Sequence, residues 1–161
     1  MNLYLIQHGE AVPKEVDAER PLSDTGRRDV QQIASFLGNA GIRVTTVLHS
    51  GKRRAEQTAD LLAASFGENA RIEKVSGIDP LDPTEPFAKA VSGRAEDTMI
   101  VGHLPFMGRL VSRLIVGDEA ASVVDFRPGT VVRLVRTDAA KWSLAWMIRP
   151  ELLAASGQEQ P

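Results

Sequence analysis

The sequence predicts a three-layer α/β sandwich: a mostly parallel central sheet with at least one antiparallel strand, and helices on both faces. Short apolar runs alternate with segments of helical period, the pattern of repeated strand–helix–strand units. Towards the end this alternation gives way to apolar runs joined by tight turns, which adds antiparallel pairing. A chain of 161 residues fits one domain, 1–161, and is long enough to bury a real core.

Leu3 to Ile6 is short, apolar and closed by a polar turn, so it reads as a buried strand. Pro13 to Pro21 is charged and irregular, a loop. Ser23 or Asp24 caps a helix on which Val30, Ile33, Ala34 and Leu37 recur at i, i+3, i+4 and i+7; Gly38 and Gly41 end it. Val44 to Leu48 is a second strand. Ser50 stands where a cap for the next helix belongs, and Ala55, Thr58, Ala59, Leu62 and Phe66 share one face of that helix. Arg71 to Val75 is a short strand. Asp79 to Pro83 holds two prolines, which a central strand does not tolerate, so it is a loop leading to a short helix over Glu85 to Val91.

Met99 to Val101 is another strand, closed by Gly102-His103. Pro105 suits the first turn of a helix striped by Met107, Leu110, Val111 and Leu114 and stopped by Gly117. Ser122 to Phe126, Thr130 to Val135 and Trp142 to Met147 read as strands joined by turns at Pro128-Gly129 and Asp138-Ala139. The polar end, from about 151 to 161, reads as a frayed tail.

Composition narrows the chemistry. The chain is 43% hydrophobic and 25% charged, ordinary for a folded domain. A net charge of −2 argues against a broad nucleic-acid or anionic-membrane footprint. With no cysteine, disulfides, thiolate metal sites and cysteine nucleophiles are excluded. No apolar run is long enough to span a bilayer or serve as a signal peptide, so the expected location is the cytoplasm and the expected state a monomer.

Ligands of open α/β sheets bind beyond the carboxyl ends of the strands. His8 and His103 each fall just past such an end, two of the three histidines in the chain. Gly9 would allow close approach of a ligand to the backbone, and His103 precedes a helix N-terminus, which favours anions. His49 also follows a strand, but Ser50 and a helix come directly after it, so it reads as structural. Lys52, Arg53 and Arg54 stand in the first turn of a helix, where the macrodipole disfavours cations unless an anion binds among them. Arg20 lies in an otherwise acidic loop. Its guanidinium fork, with Arg54, matches the oxygens of a phosphoryl group. Nucleotide-binding glycine loops, an H-E-x-x-H zinc helix and a G-x-S-x-G elbow are all absent from the sequence.

These residues fall into motifs. Gln7-His8-Gly9-Glu10 resembles the R-H-G motif of the histidine phosphatase (phosphoglycerate-mutase-like) superfamily. Arg20-Pro21-Leu22-Ser23 with Thr25-Gly26, then Arg54-Ala55-Glu56-Gln57-Thr58-Ala59, then Val101-Gly102-His103-Leu104-Pro105, resemble its further elements. The short chain without large insertions is most similar to the SixA-type phosphohistidine phosphatases. The resemblance implies that His8 is the nucleophile that becomes phosphorylated and that Arg20 and Arg54 bind the phosphoryl oxygens. It further implies that His103 donates to the phosphoryl group and that no metal or other cofactor is needed. The family arginine before the nucleophile is here Gln7, which keeps two N–H donors without charge or fork. A hydrogen bond to a charged group is worth roughly 1.5–3 kcal/mol, so the loss lowers the rate about ten- to a hundredfold, unless another cation, Arg53 or Arg27, compensates.

The expected reaction is a two-step transfer in which neutral His8 attacks phosphorus and water then hydrolyses phospho-His8, with protonated His103 offsetting charge. A protonated imidazole, pKa about 6.5, leaves without help, whereas an alcohol needs a general acid. Asp79, Asp82 and Glu85 are the weak candidates for that acid. Turn formation and helix capping are the better account of them. The expected partner is therefore a phosphohistidine-bearing protein, with phosphate as product and neither nucleic acid nor membrane involved. Two alternatives stand beside it: a phosphate- or phosphoprotein-binding module with weak catalysis, and a small-molecule phosphomonoesterase that uses one of the three carboxylates.

Overall fold

A computed structural model describes residues 1–154. Its elements are β1 (Asn2–Gln7), α1 (Asp24–Asn39), β2 (Thr46–His49), α2 (Arg53–Ala63), β3 (Arg71–Lys74), α3 (Thr84–Ser92), β4 (Thr98–Gly102), α4 (Phe106–Val116), β5 (Val131–Arg136), β6 (Trp142–Ile148) and α5 (Pro150–Ala154). The sheet runs β3-β2-β4-β1-β5-β6. β3, β2, β4 and β1 are parallel, and β5 and β6 are antiparallel, as the closing turns imply.

Alternation along each strand divides the core into two layers. Leu3 and Leu5 of β1 face α3 and α4, packing with Ala88, Val91, Phe106, Met107 and Leu110. Tyr4 and Ile6 face α1 and α2, packing with Val30, Ile33, Leu37, Ala59 and Leu62. The helices after β1 and β2 thus cover one face, and those after β3 and β4 the other. β1 and β4 are neighbours whose connections leave to opposite faces, which opens a crevice at their carboxyl ends. Register sets the depth of that crevice: Gln7 pairs with Gly102, and His49 with Val101. The residues following β1, β2 and β4 therefore emerge at one edge.

Four expectations are corrected. Ser122 to Phe126 forms no strand. β5 already occupies the free side of β1, so the segment packs by its side chains instead, with Val124 and Phe126 buried in the α4 layer and the Val123 N–H on Ser112 Oγ at 3.2 Å. Gly38 does not end α1 but lies within its last turn; the left-handed turn falls on Gly41, φ 76°. The start of the tail is ordered, because Leu153 of α5 packs into the α1 layer; residues 155–161 of the expected frayed tail lie outside the described residues. Finally, Ser50 does not cap α2. Lys52 is its N-cap residue and no side chain supplies a cap bond. Among the described residues no helix is long and apolar enough to cross a membrane.

Candidate active site

His8 follows β1 and is oriented by its own neighbour. Nδ1 lies 2.7 Å from the Gly9 carbonyl. A carbonyl only accepts, so Nδ1 carries the proton and Nε2 holds the lone pair of the neutral ring. Arg54 Nε, in the first turn of α2, donates to that Nε2 at 3.2 Å. The His103 ring lies 5.0 Å away, centroid to centroid, tilted by 54°. Two imidazoles from distant parts of the chain thus share one cleft with a guanidinium.

The Gly9 peptide is itself fixed. Its N–H donates to Thr58 Oγ1 at 3.1 Å, and that hydroxyl donates to the Arg54 carbonyl at 2.8 Å. Gln57 Oε1 accepts the Leu22 N–H at 2.8 Å, tying the Arg20 loop to α2. Packing also requires glycine at position 9, whose missing side chain lets α1 approach: a Cβ there would lie 2.7 Å from Val30 Cγ2. Gly26 has the same use, since a Cβ would fall 2.0 Å from the Glu10 carbonyl oxygen.

Arg20 has φ 48°, a conformation that costs a non-glycine residue about 1–3 kcal/mol and is found where function demands it. The Ala11–Leu22 bridge, the Val12 N–H on the Pro21 carbonyl at 2.9 Å and the Arg20 N–H on the Asp17 carbonyl at 3.0 Å hold it there. Its Nε donates to the Val12 carbonyl at 3.2 Å.

Electrostatics show what the cleft lacks. Burial, then the charges of Arg54 and Arg20, lowers His8 to about 4, against a smaller opposing effect of the Gly9 hydrogen bond. Burial, then His8, Arg54, Lys52 and Arg20, lowers His103 to about 3. Burial and Arg20 also lower Arg54. Every charge acting on these rings is positive; among the described residues no carboxylate offsets them. Such a cluster is complementary to an anion. The protonated His103 expected from sequence is accordingly not the form these protein groups favour. Its ring is neutral beside them, and only an anion in the cleft reverses the balance.

The remaining candidates are placed as follows. Gln7 ends β1, 8% exposed, with Oε1 buried and unpartnered. Arg53 pairs with Glu56 at 3.2 Å on the surface of α2, and Arg27 is exposed on α1. The further cation acting on the site is Lys52, which the sequence grouped with Arg53 and Arg54 but did not put forward as the cation that compensates for Gln7. Asp79 is held 3.4 Å from Lys52 Nζ and lines a cleft of about 580 Å³ beside Ser50. Asp82 Oδ2 accepts the Asp79 N–H at 2.8 Å, a turn-forming role. Glu85 is exposed in the first turn of α3. His49 is buried, its Nδ1 accepting the Gly51 N–H at 3.2 Å, in keeping with the structural reading.

The α/β crevice thus brings two histidines together with Arg54 and the charge of Arg20, a cationic site of the class that receives anions. The family model of the histidine phosphatase superfamily, branch 1, matches residues 3–79 of this chain. The chain is 21% identical over 155 residues to the phosphohistidine phosphatase SixA of Escherichia coli K12, covering 93% of this chain and 94% of that protein. Among solved structures, the protein histidine phosphatase SixA complexed with tungstate superposes with a TM-score of 0.83 at 22% identity, over 95% of this chain and 99% of that one. The alpha-ribazole phosphatase of Shigella flexneri superposes with a TM-score of 0.74 at 16% identity, over 93% and 97%.

Proposed function

We propose that this protein hydrolyses phosphohistidine on a protein substrate through a phospho-His8 intermediate. The observation that carries the reading is the state of His8: neutral, with its proton committed to the Gly9 carbonyl and its Nε2 lone pair turned towards Arg54. That is the state a nucleophile needs. In the first step Nε2 forms a bond to phosphorus as the bond from phosphorus to the donor imidazole breaks. The electron pair stays on the donor nitrogen, and the donor ring, already protonated on its other nitrogen, leaves as neutral imidazole. In the second step a water oxygen bonds to phosphorus, the Nε2–P bond breaks, and the water's protons pass to solvent and phosphate. His8 returns to its starting form. Arg20, Arg54, Gln7 and His103 surround the equatorial oxygens. The tetrahedral oxyanion in the similar SixA structure supports this reading of the cleft.

Substrate choice follows from the leaving group. Among the described residues no carboxylate acts on either ring, so a basic alkoxide would leave without an acid, whereas a phosphorylated imidazole already protonated on its other nitrogen leaves as neutral imidazole and needs none. One observation favours the phosphomonoesterase alternative: Asp79 lines a neighbouring cavity that shares Ser50 and Lys52 with the site. The two readings separate in one experiment. Wild type, His8→Ala and Asp79→Asn are given phosphohistidine peptide, phosphoramidate and a sugar phosphate. The expected result is fastest turnover of the phosphohistidine peptide, a trappable phosphoenzyme, no turnover by His8→Ala, and little effect of Asp79→Asn. Faster hydrolysis of the sugar ester, dependent on Asp79, would reverse the substrate assignment. Binding of phosphate without any phosphoenzyme would make the protein a binding module, the outcome to which the neutral Gln7 leans.

A further inference from the structure

Ser50 does something other than its place in the sequence suggests. The N–H of Lys52 reaches its hydroxyl only at 3.4 Å, yet that hydroxyl lies 2.6 Å from His103 Nε2. His103 is 2% exposed, and its Nδ1 has no partner among the described groups. Facing the ring are His8 and the cations Arg54, Lys52 and Arg20; the cations accept no hydrogen bond, and the His8 Nε2 is taken by Arg54. We propose that Ser50 is the positioning residue of His103: its oxygen accepts the Nε2–H, fixes the tautomer and plane of the ring, and keeps a proton on that nitrogen as the phosphoryl group arrives.

The physical argument is one of hydrogen-bond supply. A ring among cations keeps an N–H at a defined atom only if that N–H has an acceptor, because a buried unpaired donor is costly. A hydroxyl serves, since it accepts through its lone pairs while its own hydrogen rotates towards another acceptor, such as a phosphoryl oxygen. An acceptor on the N–H also favours the protonated ring, opposing the four groups that disfavour it. Lys52 N–H, pointing at the same oxygen, orients the hydroxyl without filling its acceptor capacity.

The catalytic consequence rests on the phosphatase reading; the consequence for the ring does not, and the test separates them. Nitrogen NMR of the full chain at pH 7 reports the His103 tautomer directly. Wild type is expected to carry the proton on Nε2, Ser50→Thr to keep it there, and Ser50→Ala to show a mixture. On phosphohistidine peptide, Ser50→Ala is expected to lower kcat about tenfold and to move the alkaline limb of the kcat–pH profile down by about one unit, and Ser50→Thr to restore both. A wild-type protein with the proton on Nδ1 overturns the proposal outright, with no variant needed. So does Ser50→Ala with the wild-type tautomer and profile. Absence of phosphoenzyme in the wild type would overturn the phosphatase reading and leave the tautomer result to decide this one.

Discussion

Thr58 shows how a side chain away from the cleft governs the setting of His8. It accepts the Gly9 N–H and donates to the Arg54 carbonyl, so one hydroxyl ties the peptide that orients His8 to the turn that carries Arg54. Thr58→Val keeps the shape and removes both bonds. Turnover is expected to fall about tenfold, the worth of one oriented hydrogen bond; steady-state kinetics on the phosphohistidine peptide checks this, and an unchanged kcat refutes it. Protonation gives a second expectation. His8 must be neutral to attack, and its surroundings hold it at about 4 rather than 6.5. The acid limb of kcat/KM therefore belongs near pH 4, and a profile falling already through pH 6 would show that the Arg54–His8 arrangement does not persist in solution. Thr58 was visible in the sequence only as one position on a helical face and part of a motif. Spacing cannot reveal which backbone group its hydroxyl meets, because that group is 49 residues away.

Among the elements, α1 reaches the loop after β1 only because position 26 has no side chain. Ser23 caps α1, its hydroxyl accepting the Gly26 N–H at 3.0 Å and donating to Glu10 Oε1 at 2.8 Å. Gly26→Ala puts a methyl carbon against the Glu10 backbone, which cannot move without moving His8. We expect it to lower Tm by several degrees and turnover by more than tenfold. Normal activity in that variant would mean that the loop is not held by this contact. α4 is held differently. Glu119 takes Arg109 at 2.7 Å and Arg113 at 3.0 Å, and accepts from Thr84 of α3; Arg109 also donates to the Asp82 carbonyl at 3.2 Å. This clamp joins the loop before α3 to α4 and touches neither imidazole. Glu119→Gln should lower Tm by about 2–4 °C and leave kcat unchanged, as thermal melts beside kinetics would show. The clamp had no signature in the sequence, because its members are scattered and each reads as an ordinary surface charge.

The molecule as a whole stores its pH dependence in the same groups. His8 and His103 are lowered in the folded chain to about 4 and about 3, below the 6.5 of an unfolded histidine. Between those values and 6.5 the unfolded state binds more protons, so stability rises with pH across that window. Hydrogen bonds from Thr84, Arg109 and Arg113 lower Glu119 to about 2; the stability it adds is present above 4.5 and is lost as pH falls through 2. Denaturant unfolding from pH 4 to 7 should show stability climbing steeply to pH 6.5 and then levelling. His8→Asn should flatten that climb; an equal slope in the variant would remove His8 as its source. By itself the sequence determined the α/β layering and most of the element boundaries, and it singled out His8, His103 and Arg54, which the fold brings together, because local period, turn residues and motif spacing are properties of neighbours in the chain. Only the tertiary structure decided that Ser50 serves His103 rather than α2, that the packing of α1 requires Gly9 and Gly26, that Lys52 is the additional cation, and that both imidazoles are neutral. Those are facts about which groups meet across the β1–β4 crevice and how deeply water is excluded there, and neither distance nor dielectric is written in one dimension.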